Sequence, residues 1–122
     1  ARMLDDVAEF FKHEVQNAPG PNFEVIRLPM EIVIETGQTP HLRSYNNCLI
    51  ESYDRVRKVY LPRFEDHEEQ YKEAGSVLKK VDRRFKTNGY TVVFVPGRFD
   101  HYATQKGSLH CMVKVMHRNR KI

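Results

Sequence analysis

The 122 residues carry 20 Lys and Arg against 16 Asp and Glu, a formal net charge of +4, and 40% are hydrophobic. That composition fits one ordinary domain or part of a larger one, and no apolar run approaches the roughly 18 residues a bilayer span needs. The two cysteines, Cys48 and Cys111, exclude a disulfide framework and a zinc-knuckle spacing.

Free thiols fit a reducing compartment, so a cytoplasmic setting is the expectation. The N-terminus does not read as a signal peptide, because Arg2 is followed by Asp5, Asp6 and Glu9. Ala1-Arg2-Met3-Leu4 reads as the inside of a helix, which leads to the expectation that the chain starts mid-protein.

Apolar residues at Leu4, Val7, Ala8, Phe11 and Val15 form a helical stripe. Asn17-Ala18-Pro19-Gly20-Pro21 ends it. Residues 23–28 then read as a strand stopped at Pro29, and residues 31–36 as a second β-branched run. Residues 37–43 read as a loop. The runs 47–52 and 58–61 read as strands joined by the turn residues Tyr53-Asp54-Arg55, hence a hairpin.

A long helix is expected over residues 65–86, with Tyr71, Ala74, Leu78, Val81 and Phe85 on one stripe. Glu65, Asp66, Glu68 and Glu69 crowd its start and Lys79, Lys80, Arg83, Arg84 and Lys86 its end, which complements the helix dipole. Much of the basic charge thus has a structural reason, and binding to nucleic acid is not the expectation. Asn88-Gly89 supplies the left-handed stop. Residues 90–95 are nearly all β-formers, enough for a strand buried on both faces. After a polar loop, residues 109–116 read as the last strand. Alternation there puts Leu109, Cys111, Val113 and Val115 on one face and His110, Met112, Lys114 and Met116 on the other. Strand pairs alternating with helices give a mixed α/β class built from repeated β-β-α-β units.

A buried cysteine is usually a small hydrophobe, and Cys48 is read that way, with a second reactive thiol as the alternative. Cys111 differs in its neighbours. Gly107 stands four residues before it, where a backbone approaches a ligand closely. His110 is adjacent, but neighbouring residues in a strand point to opposite faces, which makes it a poor proton acceptor for the thiol.

The stretch Tyr102-Ala103-Thr104-Gln105-Lys106-Gly107-Ser108-Leu109-His110-Cys111 resembles the ending shared by peptidylarginine deiminases and agmatine deiminases. In those enzymes a glycine four positions upstream and an adjacent histidine precede the catalytic cysteine. Ser44-Tyr45-Asn46-Asn47 resembles the Ser-Tyr-x-Asn that opens a strand in agmatine deiminases. Val59-Tyr60-Leu61-Pro62 and Val25-Ile26-Arg27-Leu28-Pro29 are similar to strand endings of the same family. The resemblance implies an α/β-propeller of the pentein type, with about two β-β-α-β modules in this chain. Residues 1–122 would then be a single domain, the C-terminal portion of a larger catalytic domain.

The same resemblance implies a thiolate at Cys111 that attacks a guanidinium carbon. Ammonia leaves, and water releases a ureido product from the covalent thiouronium intermediate. Amidino transfer to an amine is a variant of that chemistry. Gly107, His110, Asn47, Tyr102 and Asp100 become candidate substrate-binding residues, and no metal or cofactor is implied. For Asn47 a buried structural role stays open, for Tyr102 packing at the base of the loop, and for Asp100-His101 an exposed charged pair. A cationic substrate needs carboxylates to hold it, and the family supplies them from an Asp and a His-x-Asp. No His-x-Asp occurs here; His13-Glu14, His41, His67-Glu68 and Asp100-His101 do not match it. Those groups are expected from a missing N-terminal segment or a partner chain, the alternative being a differently built relative. The competing functional classes are a non-catalytic binding module on a pentein-like scaffold and a small basic nucleic-acid binder.

Overall fold

The amphipathic stripe near the N-terminus folds as α1 (Arg2–Gln16) in the computed structural model, which describes residues 2–16, 25–37 and 39–112. An Asp5–Arg27 ion pair ties it to the following segment, while Met3, Val7, Phe10 and Phe11 stay exposed.

The strand expected over residues 23–28 does not form where it is described: Val25 to Leu28 have no regular structure, and Phe23 and Glu24 lie outside the described residues. β-propensity is expressed only against a partner strand, and here the Arg27 carbonyl accepts from the Arg84 side chain instead. The second run shortens to β1 (Glu31–Val33). Its partner is β2 (His41–Arg43), inside the segment read as a loop. They pair antiparallel, with Glu31 opposite Arg43 and Val33 opposite His41, across a turn in which Gly37 takes a φ of +79°. β2 carries no β-branched residue, so its strand character comes from that pairing.

β3 (Leu49–Tyr53) and β4 (Val56–Pro62) make the expected hairpin, with Leu49 opposite Tyr60 and Asp54 in a left-handed conformation at the turn. The long helix is instead two: α2 (His67–Lys72) and α3 (Val77–Thr87). Gly75, at φ +82°, breaks the run, and the Ser76 hydroxyl caps α3 by accepting from the Lys79 N–H. The stripe survives only in α3, where Leu78, Val81 and Phe85 are buried; Tyr71 of α2 is exposed. Gly89, at φ +83°, ends α3 as expected.

β5 (Thr91–Val95) pairs parallel with β4, giving a three-stranded sheet of order β3-β4-β5. It lies at the sheet edge and is half-buried, not buried on both faces. The polar loop after it contains α4 (Phe99–Thr104). The last strand is not formed in its described part: His110–Met112 is a 3-10 turn, and residues 113–116 lie outside the described residues. Leu109 is buried and Cys111 exposed, so they do not share a face.

Among the described residues the result is a mixed α/β fold of two small sheets and four α-helices, in which α2 and α3 connect β4 to its parallel neighbour β5. Val59 and Leu61 of β4 pack against Leu78, Val81 and Phe85 of α3, and Tyr45, Phe64, Phe99 and Leu109 extend that core toward α4. Burying each such aliphatic side chain contributes about 1.5–3 kcal/mol. Phe99 and Leu109 thereby anchor the segment that leads to Cys111.

Candidate functional site

Cys111 and Asn47 are 64 residues apart in sequence and meet in space. The turn 44–47 is closed by the Ser44 hydroxyl, which accepts from the Asn46 N–H, and by the Asn46 carbonyl, which accepts from the Cys48 N–H. This aims the Asn47 side chain at the end of the chain. Its Nδ2 donates to Cys111 Sγ at 3.3 Å, and its Oδ1 accepts from the His110 backbone N–H at 2.5 Å. One amide thus grips both the thiol and the backbone beside it. The 3-10 turn at His110–Met112 lets both contacts form in place of the extended backbone expected over those residues.

The Cys111 thiol is exposed. The Asn47 amide, joined by a backbone hydrogen bond from Ser108, holds it below its ordinary pKa. Hydrogen bonds to the charged form favour the thiolate, the reactive species. Cys48 is the opposite case, since burial pushes its thiol up. The two cysteines separate into one exposed, hydrogen-bonded thiol and one half-buried thiol.

Beside this pair lies an open pocket of about 490 Å³. One wall comes from Thr39, His41, Leu42 and Ser44, the other from Thr104, Lys106, Gly107 and Ser108, with Asn47 between them. The second wall is built by the end of α4, where the Gly107 N–H donates to the Tyr102 carbonyl and Lys106 takes a left-handed φ of 61°. A Cβ on Gly107 would meet only the Tyr102 carbonyl oxygen, at 3.7 Å. The Ser108 hydroxyl is buried without a hydrogen-bond partner among the described residues, a polar atom left for a ligand to satisfy. Among the described residues no carboxylate lines the pocket.

The remaining candidates are placed differently. His110 is exposed and contributes its backbone N–H, not a base. Tyr102 does not line the pocket; its half-buried ring packs edge-on against Phe99 at 6.0 Å. Asp100 belongs to α4 rather than to a loop, and it is 7% exposed. Its carboxylate accepts from Arg43 Nε at 2.6 Å, Arg43 Nη2 at 3.0 Å, His41 at 2.7 Å and the Glu65 N–H at 2.8 Å. Burial pushes its pKa up, but Arg43, the Glu65 N–H and His41 outweigh that and hold it below the ordinary carboxylate value. Both of its oxygens are thus engaged within the protein.

Arg43 and His41 are the residues sequence reasoning missed. Neither sits in a motif, and a charged residue in a three-residue strand carries no signal of its 57-residue reach to Asp100. Among the described residues no group of three or more His, Cys, Asp or Glu is placed to hold a metal ion, and no helix is long and apolar enough to cross a membrane. No family model, curated protein or solved structure matches the chain.

Proposed function

We propose that this protein is a cysteine-dependent hydrolase of guanidino groups, with Cys111 as nucleophile, built from β-β-α-β modules of a pentein-type propeller. The observation that carries the reading is the Asn47 amide bonded to Cys111 Sγ. It brings together Ser44-Tyr45-Asn46-Asn47 and Gly107-Ser108-Leu109-His110-Cys111, the two stretches that resemble guanidine-modifying enzymes. The succession β3-β4-α2-α3-β5 supports the modular reading.

The Cys111 thiolate attacks the planar guanidinium carbon and a C–S bond forms; the C–N bond to one amino group then breaks as that nitrogen takes a proton from solvent and leaves as ammonia. Water then attacks the thiouronium carbon, the C–S bond breaks, and the ureido product leaves with the thiol regenerated. Asn47 favours the thiolate and holds the sulfur in place. The pocket wall of Gly107 and Ser108 places the substrate close to backbone. No carboxylate among the described residues lines the pocket, and Asp100 is engaged with Arg43; on this reading the groups that orient the guanidinium come from a preceding segment or a partner chain.

The test incubates the intact protein with agmatine, free arginine and an arginyl peptide, and measures ureido product and ammonia. Product from at least one substrate, falling to background in Cys111→Ala, is expected. Unchanged product formation in that variant overturns the nucleophile, and no product from any of the three overturns the activity.

A further inference from the structure

The two walls of the pocket come from distant parts of the chain, and Asp100 joins them. From α4 its Oδ1 accepts from His41 and Arg43 Nε, and its Oδ2 from Arg43 Nη2 and the Glu65 N–H. Two parallel bonds from one guanidinium fix orientation as well as distance. The third Arg43 nitrogen runs on to both oxygens of Asp66, at 2.9 Å each, and to Glu31 at 3.4 Å. Gln70 donates to the same two carboxylates. The cluster therefore spans β1, β2, α2 and α4, with Arg43 4% exposed.

Both partners of the Asn47–Cys111 bond hang from this fork. Asn47 follows Arg43 through a single turn closed by Ser44. Cys111 follows Asp100 through α4, whose Tyr102 carbonyl holds the Gly107 N–H, and then through buried Leu109. His41 is itself a lining residue of the pocket.

We propose that Asp100, with Arg43 and His41, is a positioning cluster that sets the spacing of the pocket walls and so the reach of the Asn47 amide to the Cys111 sulfur. None of the three is bonded to the thiol; they act through Asn47. The catalytic meaning of the cluster rests on the role proposed for Cys111, but the coupling is a property of the thiol itself and is measured without substrate.

The experiment is a double-mutant cycle on the intact protein with Asp100→Asn and Asn47→Ala, read by iodoacetamide alkylation of Cys111 across pH. Each single variant is expected to raise the midpoint of the pH profile and to slow alkylation at neutral pH by roughly three- to tenfold, within the lower part of the range of pairwise couplings. The double variant is expected to be no slower than the slower single one. Two results overturn the inference: a wild-type profile in Asp100→Asn despite a lower melting temperature, or single effects that multiply. If circular dichroism shows Asp100→Asn to be unfolded, Arg43→Lys carries the same cycle, since it keeps the charge and loses the fork. Coupled thiols without ureido product keep this inference and sink the catalytic reading. Product with uncoupled thiols does the reverse.

Discussion

The half of the molecule built from β3, β4, α3 and β5 is held by apolar contact, whereas the corner that carries Cys111 adds a buried charge cluster to its apolar anchors Phe99 and Leu109. In the first, Val59, Leu61, Leu78 and Val81 are each no more than 1% exposed and need no particular partner atom. In the second, Asp100 and Arg43 are nearly as buried but satisfied by directional bonds at 2.6 and 3.0 Å. Apolar packing tolerates small shifts, while a buried forked ion pair does not. The first arrangement suits a scaffold, and the second suits a place where one amide must meet one sulfur.

The comparison predicts its own largest failure at the charged corner. Asp100→Asn leaves the buried Arg43 guanidinium without its main partner, a change that costs about 3–5 kcal/mol by denaturant unfolding. Linkage gives the same result a pH signature. Because Asp100 is held below its ordinary value of about 3.9, its contribution is complete above that pH. It is lost as pH falls through the lower folded value. The wild type should therefore lose stability below about pH 4, and Asp100→Asn should lose less across that window. An equal acid slope in both would show that the fork does not hold this corner. Next in size, Leu61→Ala empties part of the apolar half and costs about 2–5 kcal/mol. It should leave Cys111 alkylation at folded-state conditions unchanged, which separates the two regions. The smallest effect belongs to Ser76→Ala, which removes the cap of α3 and costs about 1 kcal/mol, read as a melting-temperature shift.

The same division decides what the sequence made legible. The hairpin of β3 and β4, the strand β5 and the Leu78-Val81-Phe85 stripe follow from β-branched runs and helical spacing, which are local signals. Asn88-Gly89 likewise marked its own turn. The break at Gly75 had a local signal too, since Ser76 ahead of an apolar-periodic run is a helix start, but the continuous charge pattern around it concealed the stop. β2, α4 and the turn at His110–Met112 had none. Each is specified by a distant partner: His41 and Arg43 by Asp100, and His110 by Asn47. Of the candidate site, Asn47 and Gly107 line one pocket, and Cys111 is joined to it through the Asn47 amide. Tyr102 turns to packing and Asp100 to holding Arg43. Residue type announces that a carboxylate binds cations; only the fold says that the cation is its own arginine.

The account stands most directly on the contrast between the two thiols. Intact protein treated with 2-chloroacetamidine, an amidine electrophile, should be labelled at Cys111 ahead of Cys48 when the modified peptides are mapped by mass. The pH midpoint for Cys111 should lie below the ordinary thiol value of about 8.5 and move up toward it in Asn47→Ala. Preferential labelling of Cys48, or a Cys111 midpoint that Asn47→Ala leaves unmoved, would contradict it.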